Sequence, residues 1–257
     1  LSVCLSVCLS VCLYVWLAGC LSVCLSVGMS VCLSVCLSVC LSVCRSVLKL
    51  WLSSASIYAL FVFWYTDFSG PISDAEVNQF VTTLSERGTA PETIANLERF
   101  FRNDSGRQFL MVNNIEMNQQ PVIIEGATSA KSADQLMNKY MTHMFPELLK
   151  RASHPVIFGY AVHSAVDITG IEQAEKMAVW SDGALFRYRS RRALMEIVAN
   201  PDLQDSHQFK LAALSKTIAY PIETQLYLGD MRVLLGLVLL SLTALFDNIR
   251  LARQSKR

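Results

Sequence analysis

Two uncharged apolar runs bracket a mixed polar segment, and this arrangement limits the fold more than any other feature. The first run is LWLSSASIYALFVFWY, 50–65, preceded by Arg45 and Lys49, with its aromatic residues gathered at the end. The second is VLLGLVLLSLTALF, 233–246, followed by DNIRLARQSKR. A helix that is apolar on every side does not suit the surface of a globular domain. Rings and basic residues also collect where a span meets the headgroups. Both runs fall short of the ~20 residues a span usually needs, so each has a second reading. The first reads also as a secretory signal peptide, although the bulky WYTDFSG that ends it offers no small-x-small cleavage site. The second reads also as a buried core helix. Starting it at Leu226 lengthens it at the cost of Asp230 and Arg232, the latter able to snorkel. The sequence thus predicts transmembrane helices over 48–66 and 226–247, a basic tail over 248–257, and the membrane lipid bilayer as a partner. Lys and Arg near a span tend to stay cytoplasmic. Arg45 and Lys49 precede the first span, and Arg250, Arg253, Lys256 and Arg257 follow the second. Both chain ends are therefore expected in the cytoplasm, with the domain between them on the non-cytoplasmic side of the membrane.

Before the first span the chain repeats LSVC with a period of four to Val47. That period is far shorter than those of stacked structural repeats. Leu-Ser-Val-Cys is written by three copies of the tetranucleotide CTGT, which reads the same peptide in every frame. Tyr14, Trp16, Ala18, Gly19, Gly28, Met29 and Arg45 depart from it, each by a single base. Residues 1–47 therefore read as a low-complexity translated microsatellite, dispensable for folding and insertion. A first residue of Leu suits a frame joined to upstream DNA. All nine cysteines lie in this tract at multiples of four. That spacing, with no His or acid between them, lacks the paired ligands of a metal site. No metal and no cofactor is expected from it.

The segment between the spans carries 15 Lys+Arg and 19 Asp+Glu over 67–224. It lacks the basic footprint of a nucleic-acid binder, so no nucleic-acid partner is expected. Ser73 and Glu76 form a capping-box pattern that starts a helix, and Thr89-Ala-Pro-Glu92 repeats the signal with Pro91 in the first turn. These make a helical extension over 67–106. QFLMVNNIEM, 108–117, alternates as a strand, with Phe109, Met111, Asn113 and Ile115 on one face and Leu110, Val112, Asn114 and Glu116 on the other. The run 132–151 is helical, with Leu136, Met137, Tyr140, Met141 and Met144 along one stripe. HPVIFGYAVHSAVDI, 154–168, and ALFRYRS, 184–190, read as strands, RRALMEIVAN and HQFKLAALSKT as helices, and TIAYPIE as a last strand.

After Gly106 this order is the ferredoxin-like βαββαβ pattern, so the expected fold is α+β: a ferredoxin-like domain over 107–225 with a helical extension, flanked by two transmembrane helices. The run RYRSRRALMEIVANPDLQDSHQFKLAALSKTIAYP, with FLMVNNIEMN as a first strand, resembles the dimeric α/β-barrel superfamily over about 107–222. The resemblance implies a homodimer through the open sheet face and a pocket between sheet and helices. It does not imply a reaction, because members include haem-dependent enzymes, cofactor-free monooxygenases and proteins without known activity. Three expectations follow: a membrane-anchored domain binding a small ligand or a partner, an oxygenase-like or haem enzyme, or a purely structural membrane protein.

No phosphate loop, nucleophile elbow or paired-His metal helix is present in the sequence. Candidate ligand-binding residues are therefore single ones. Asn113 and Asn114 sit mid-strand, where Asn is disfavoured, and serve either a ligand or a buried structural hydrogen bond. Arg187 and Arg189 share a strand face, as an anion patch or a solvated corner. Tyr160 and His163 lie on the second strand, and a single His serves either as an axial haem ligand or as an ordinary surface group.

Overall fold

The computed structural model describes residues 29–122, 124–127 and 132–254, with side chains from Val47 to Arg253. Most of the LSVC tract, residues 1–28, lies outside the described residues. Its end continues into α1, Met29–Tyr65. Then follow α2 (Asp74–Glu86), α3 (Pro91–Arg102), β1 (Phe109–Met117), α4 (Ala133–Lys150), β2 (His154–Tyr160), β3 (Asp182–Tyr188), α5 (Arg191–Ala199), α6 (Gln204–Ala213), β4 (Leu214–Ile222) and α7 (Met231–Gln254). The chain divides into two units, one of 1–61 with 231–257 and one of 62–230.

Two helices are long and apolar enough to cross a membrane: Val47–Tyr65, mean hydropathy 1.5, most of it in the first unit, and Met231–Arg253, mean hydropathy 1.7. Their contact includes small and hydroxyl groups and one Trp–Asp pair. Ser54 Oγ lies 2.6 Å from Thr243 Oγ1, and Trp51 Nε1 donates to Asp247 Oδ2 at 3.5 Å. Gly236 faces Tyr58, where a Cβ would meet the ring at 3.3 Å. Small residues at such a crossing let two backbones approach closely. The second helix starts at Met231, after Asp230, and continues through DNIRLARQ, so the expected tail is helical to Gln254.

The second unit is α+β, built on a four-stranded antiparallel sheet in the order β2-β3-β1-β4. The alternation of β1 decides what each face carries. Phe109, Met111, Asn113 and Ile115 share a face with Tyr188, Phe186 and Ala184 of β3 and with Thr217 of β4. Phe109 and Tyr188 stack on this face with centroids 5.1 Å apart. They join Val77, Phe80 and Leu84 of α2, Ile94 and Phe101 of α3, and Leu194 and Ile197 of α5 in one apolar core. A second cluster joins α4 to α6 through Leu136, Tyr140, Phe209 and Ala213.

Three local expectations are corrected. The strand expected to reach Ile168 stops at Tyr160, because its partner β3 begins at Asp182, which pairs with Tyr160. Residues 161–168 then have no strand to pair with, and Val162 is fully exposed. The helix expected through Leu-Ser-Lys-Thr ends at Ala213, because Leu214 onward pairs with β1 as an edge strand. The expected cap at Thr89 is absent: Ala90 occupies the N-cap without a side-chain bond, and Pro91 alone starts the turn. The expected capping box of Ser73 and Glu76 is present.

Glu76 has a second task. Its carboxylate accepts from Arg192 Nε at 2.8 Å as well as from the Ser73 backbone. The Arg192 bonds, then those from Ser73, hold its pKa down to about 2 from an ordinary 4.5. A depressed carboxylate contributes stability above its unfolded pKa and loses it as pH falls through the folded one. Glu76→Gln should therefore cost about 1 kcal/mol at neutral pH, modest because the pair is partly exposed. The cost should shrink between pH 4.5 and about 2. Urea titrations of both chains at several pH values measure it, and a pH-independent difference would contradict the assignment.

Candidate functional site

A cavity of about 350 Å³ opens between the sheet and α4. The same stripe that makes α4 amphipathic supplies one wall, with Met137, Tyr140, Met141 and Met144. Unbranched Met side chains adapt to irregular apolar shapes. The opposite wall is the helix-facing side of the sheet, with Asn113, Ile115, Ala184, Phe186 and Tyr188, and Phe158 at the β2 edge. Ala184 leaves room on a central strand where a larger residue would fill the space. No Asp or Glu lines this cavity.

Few polar groups reach it. Asn113 Nδ2 donates to Met111 O at 3.0 Å and to Ala184 O at 3.4 Å. Its Oδ1 is left without a protein partner among the described residues. Lys210, on α6, lines the cavity half-buried, with Nζ 5.9 Å from the centre of the Tyr140 ring. It has no ion pair or hydrogen bond among the described residues. Burial holds its amine below the ordinary lysine range. Burial likewise pushes the Tyr140 phenol up to about 12 and raises Tyr188 too, so both rings stay neutral at physiological pH.

Of the residues singled out from sequence, the structure brings Asn113 to this cavity. Asn114 faces the other side of the sheet, paired opposite Gly183 and Ile218. Tyr160 is 76% exposed at the end of β2, edge-on to Phe158. His163 lies in the loop beyond, its Nδ1 2.9 Å from Ser164 O.

Arg187 is on the far face and is wholly buried. It donates from Nη1 to Ala152 O at 2.6 Å, from Nη2 to Tyr65 O at 2.8 Å and from Nε to Gln108 Oε1 at 2.8 Å. Its guanidinium also stacks 3.5 Å over the Tyr65 ring. Arg189, past the strand end, donates to Trp64 O at 3.2 Å. Arg191 holds Phe100 O and Asn103 O, each at 2.7 Å, and Arg192 holds Gly70 O at 3.1 Å. The RYRSRR run is thus neither an anion patch nor a solvated corner. Its four arginines, from β3, its end and α5, donate to backbone carbonyls of 64–71 and 100–103, and Arg191 and Arg192 also pair with Glu223 and Glu76.

Lys210 is a cavity-lining cation that was not among the candidates drawn from the sequence. It is the only charge in the FKLAA stretch that ends α6, and a lone cation within an apolar helix end was the available signal. Among the described residues, no group of three His, Cys, Asp or Glu is placed to hold a metal.

No family model and no curated protein matches the chain. Solved structures do show a likeness. A protein of unknown function from Rhodopseudomonas palustris is 14% identical, over 54% of this chain and 95% of its own, with a TM-score of 0.42. An Arabidopsis thaliana protein is 13% identical, over 46% of this chain and 97% of its own, with a TM-score of 0.29.

Proposed function

We propose that the domain binds a small apolar ligand bearing one carbonyl or carboxylate group. The cavity between sheet and α4 takes its body, and Lys210 takes its polar end. The observation that carries this reading is Lys210, with no ion pair or hydrogen bond among the described residues, on the wall of a mostly apolar, acid-free cavity. A partly buried amine without a hydrogen-bond partner is costly, and a ligand oxygen that accepts from it relieves that cost. Asn113 Oδ1 adds an acceptor for a ligand hydroxyl.

2-Naphthoate is a suitable probe, with the full chain held in lipid nanodiscs and empty discs as control. It should bind saturably, and Lys210→Met should weaken binding by tenfold or more, since a hydrogen bond to a charged group is worth about 1.5–3 kcal/mol. Ala184→Leu should block the cavity with the same effect. Binding no tighter than to empty discs overturns the proposal.

The domain itself we read as ferredoxin-like, of the dimeric α/β-barrel type. The strand order β4-β1-β3-β2, with α4 between β1 and β2 and α5 and α6 between β3 and β4, supports this. Exposed Ile157, Ile218 and Tyr220 on the open sheet face support a homodimer through that face. The basic residues outside both apolar helices support a membrane protein with both ends cytoplasmic and the domain on the other side. Protease added to intact spheroplasts should cut the domain and spare a tag placed after Arg257. A tag digested with the domain would mean a single crossing.

A further inference from the structure

We propose that Lys210 forms an imine with an aldehyde or ketone bound in the cavity, so that the ligand class is an apolar carbonyl compound held covalently and reversibly. This rests on the reading of the cavity as a ligand site and goes further by naming the bond.

A lysine becomes a nucleophile when its amine is free of a proton and free of competing partners. The cavity favours both: its apolar walls disfavour the ammonium, and no ion pair or hydrogen bond engages Nζ among the described residues. Lys210 lines a space walled also by Met137, Met141, Phe186 and Tyr188, where water solvates an ammonium poorly. No carboxylate lines that space to hold the proton on. The other titratable groups in the lining are the phenols of Tyr140 and Tyr188, which remain neutral and do not stabilise a cation by charge. The depressed basicity of Lys210 agrees with this setting. Lys139, by comparison, donates to Gly126 O and lies 4.9 Å over the Phe209 ring, whereas Lys210 has only the Tyr140 ring, at 5.9 Å, among the described residues.

In the reaction the Nζ lone pair adds to the carbonyl carbon, giving a carbinolamine. The carbon–oxygen bond then breaks as the carbon–nitrogen double bond forms. The oxygen leaves as water, taking both amine hydrogens. No oxidant or reductant is needed, and water reverses the step. The apolar walls protect the imine by limiting water, and this favours ligands whose body fills the cavity.

The test uses the full chain in nanodiscs with 2-naphthaldehyde and sodium cyanoborohydride, which reduces an imine to a stable amine. Peptide mapping by mass spectrometry then compares all lysines. Lys210 should carry on the order of ten times the label of any other lysine, because the cavity holds the aldehyde against it. Excess 2-naphthoate should remove that preference, and Lys210→Arg should abolish the cavity label while leaving the others unchanged. If 2-naphthoate binds but Lys210 is labelled no more than surface lysines, the imine is overturned and the ligand site stands. If neither occurs, both readings fall. Label on Lys210 that 2-naphthoate does not reduce would also overturn the proposal, since the reaction would then lie outside the cavity.

Discussion

Arg187→Met should destabilise the domain by about 3–5 kcal/mol, the cost of removing one partner from a buried charged network. Methionine fills a similar volume, so lost packing is the smaller part. The larger part is polar. Ala152 O and Tyr65 O each lose a charged donor, and Gln108 Oε1 loses a third. A buried acceptor left without its donor costs the desolvation of that group. The stacking of the guanidinium on Tyr65 goes as well. Arg187→Lys should recover only part of the loss, because one ammonium cannot meet three acceptors set out for a planar fork. Urea unfolding of the full chain in nanodiscs, followed by tryptophan fluorescence, measures both variants. A loss under about 1 kcal/mol for the methionine variant would mean that the network is dispensable. A second consequence is local: residues 64–71 should become sensitive to protease before the sheet unfolds.

Phe101→Ala should cost about 3–5 kcal/mol, as large-to-small changes of buried aromatics do. Phe101 is wholly buried, meets Phe80 edge-on at 4.9 Å and lies 5.3 Å from Phe100. It therefore ties α2 and α3 to the core under β1. Edge-to-face pairs add to the area term, so the loss should exceed that of an aliphatic residue of equal burial. Phe101 does not line the cavity. Binding of 2-naphthoate per folded molecule should then be unchanged, which separates stability from function. Equal unfolding midpoints for variant and parent would contradict this account of the core.

The sequence alone determined the features that depend on local chemistry. The capping box at Ser73 and Glu76 is legible because one hydroxyl and one carboxylate three residues on satisfy two orphan amides. The two faces of β1 are legible because side chains alternate by necessity, so Asn113 and Asn114 had to point opposite ways. The Met-rich stripe of α4 is legible from its three- and four-residue spacing, and it became a cavity wall. The apolar runs at either end are legible from composition. Tertiary structure decided the rest. The last residue of β2 was set by where β3 begins, since a strand lasts only as long as it has a partner, and β-branched Val162 and Val166 have none. Leu214 became strand rather than helix because the β1 edge offered it a ladder. Arginines 187–192 read as a charged surface from sequence. Burial turned them inward, because backbone carbonyls over 64–71 and 100–103 needed donors that only long, forked side chains could bring. Lys210 is likewise unremarkable in a line of residues. It becomes a chemical group only when α4 and the sheet surround it with apolar walls and no acid, since solvation and neighbouring charge set an amine's reactivity and both are properties of the folded chain.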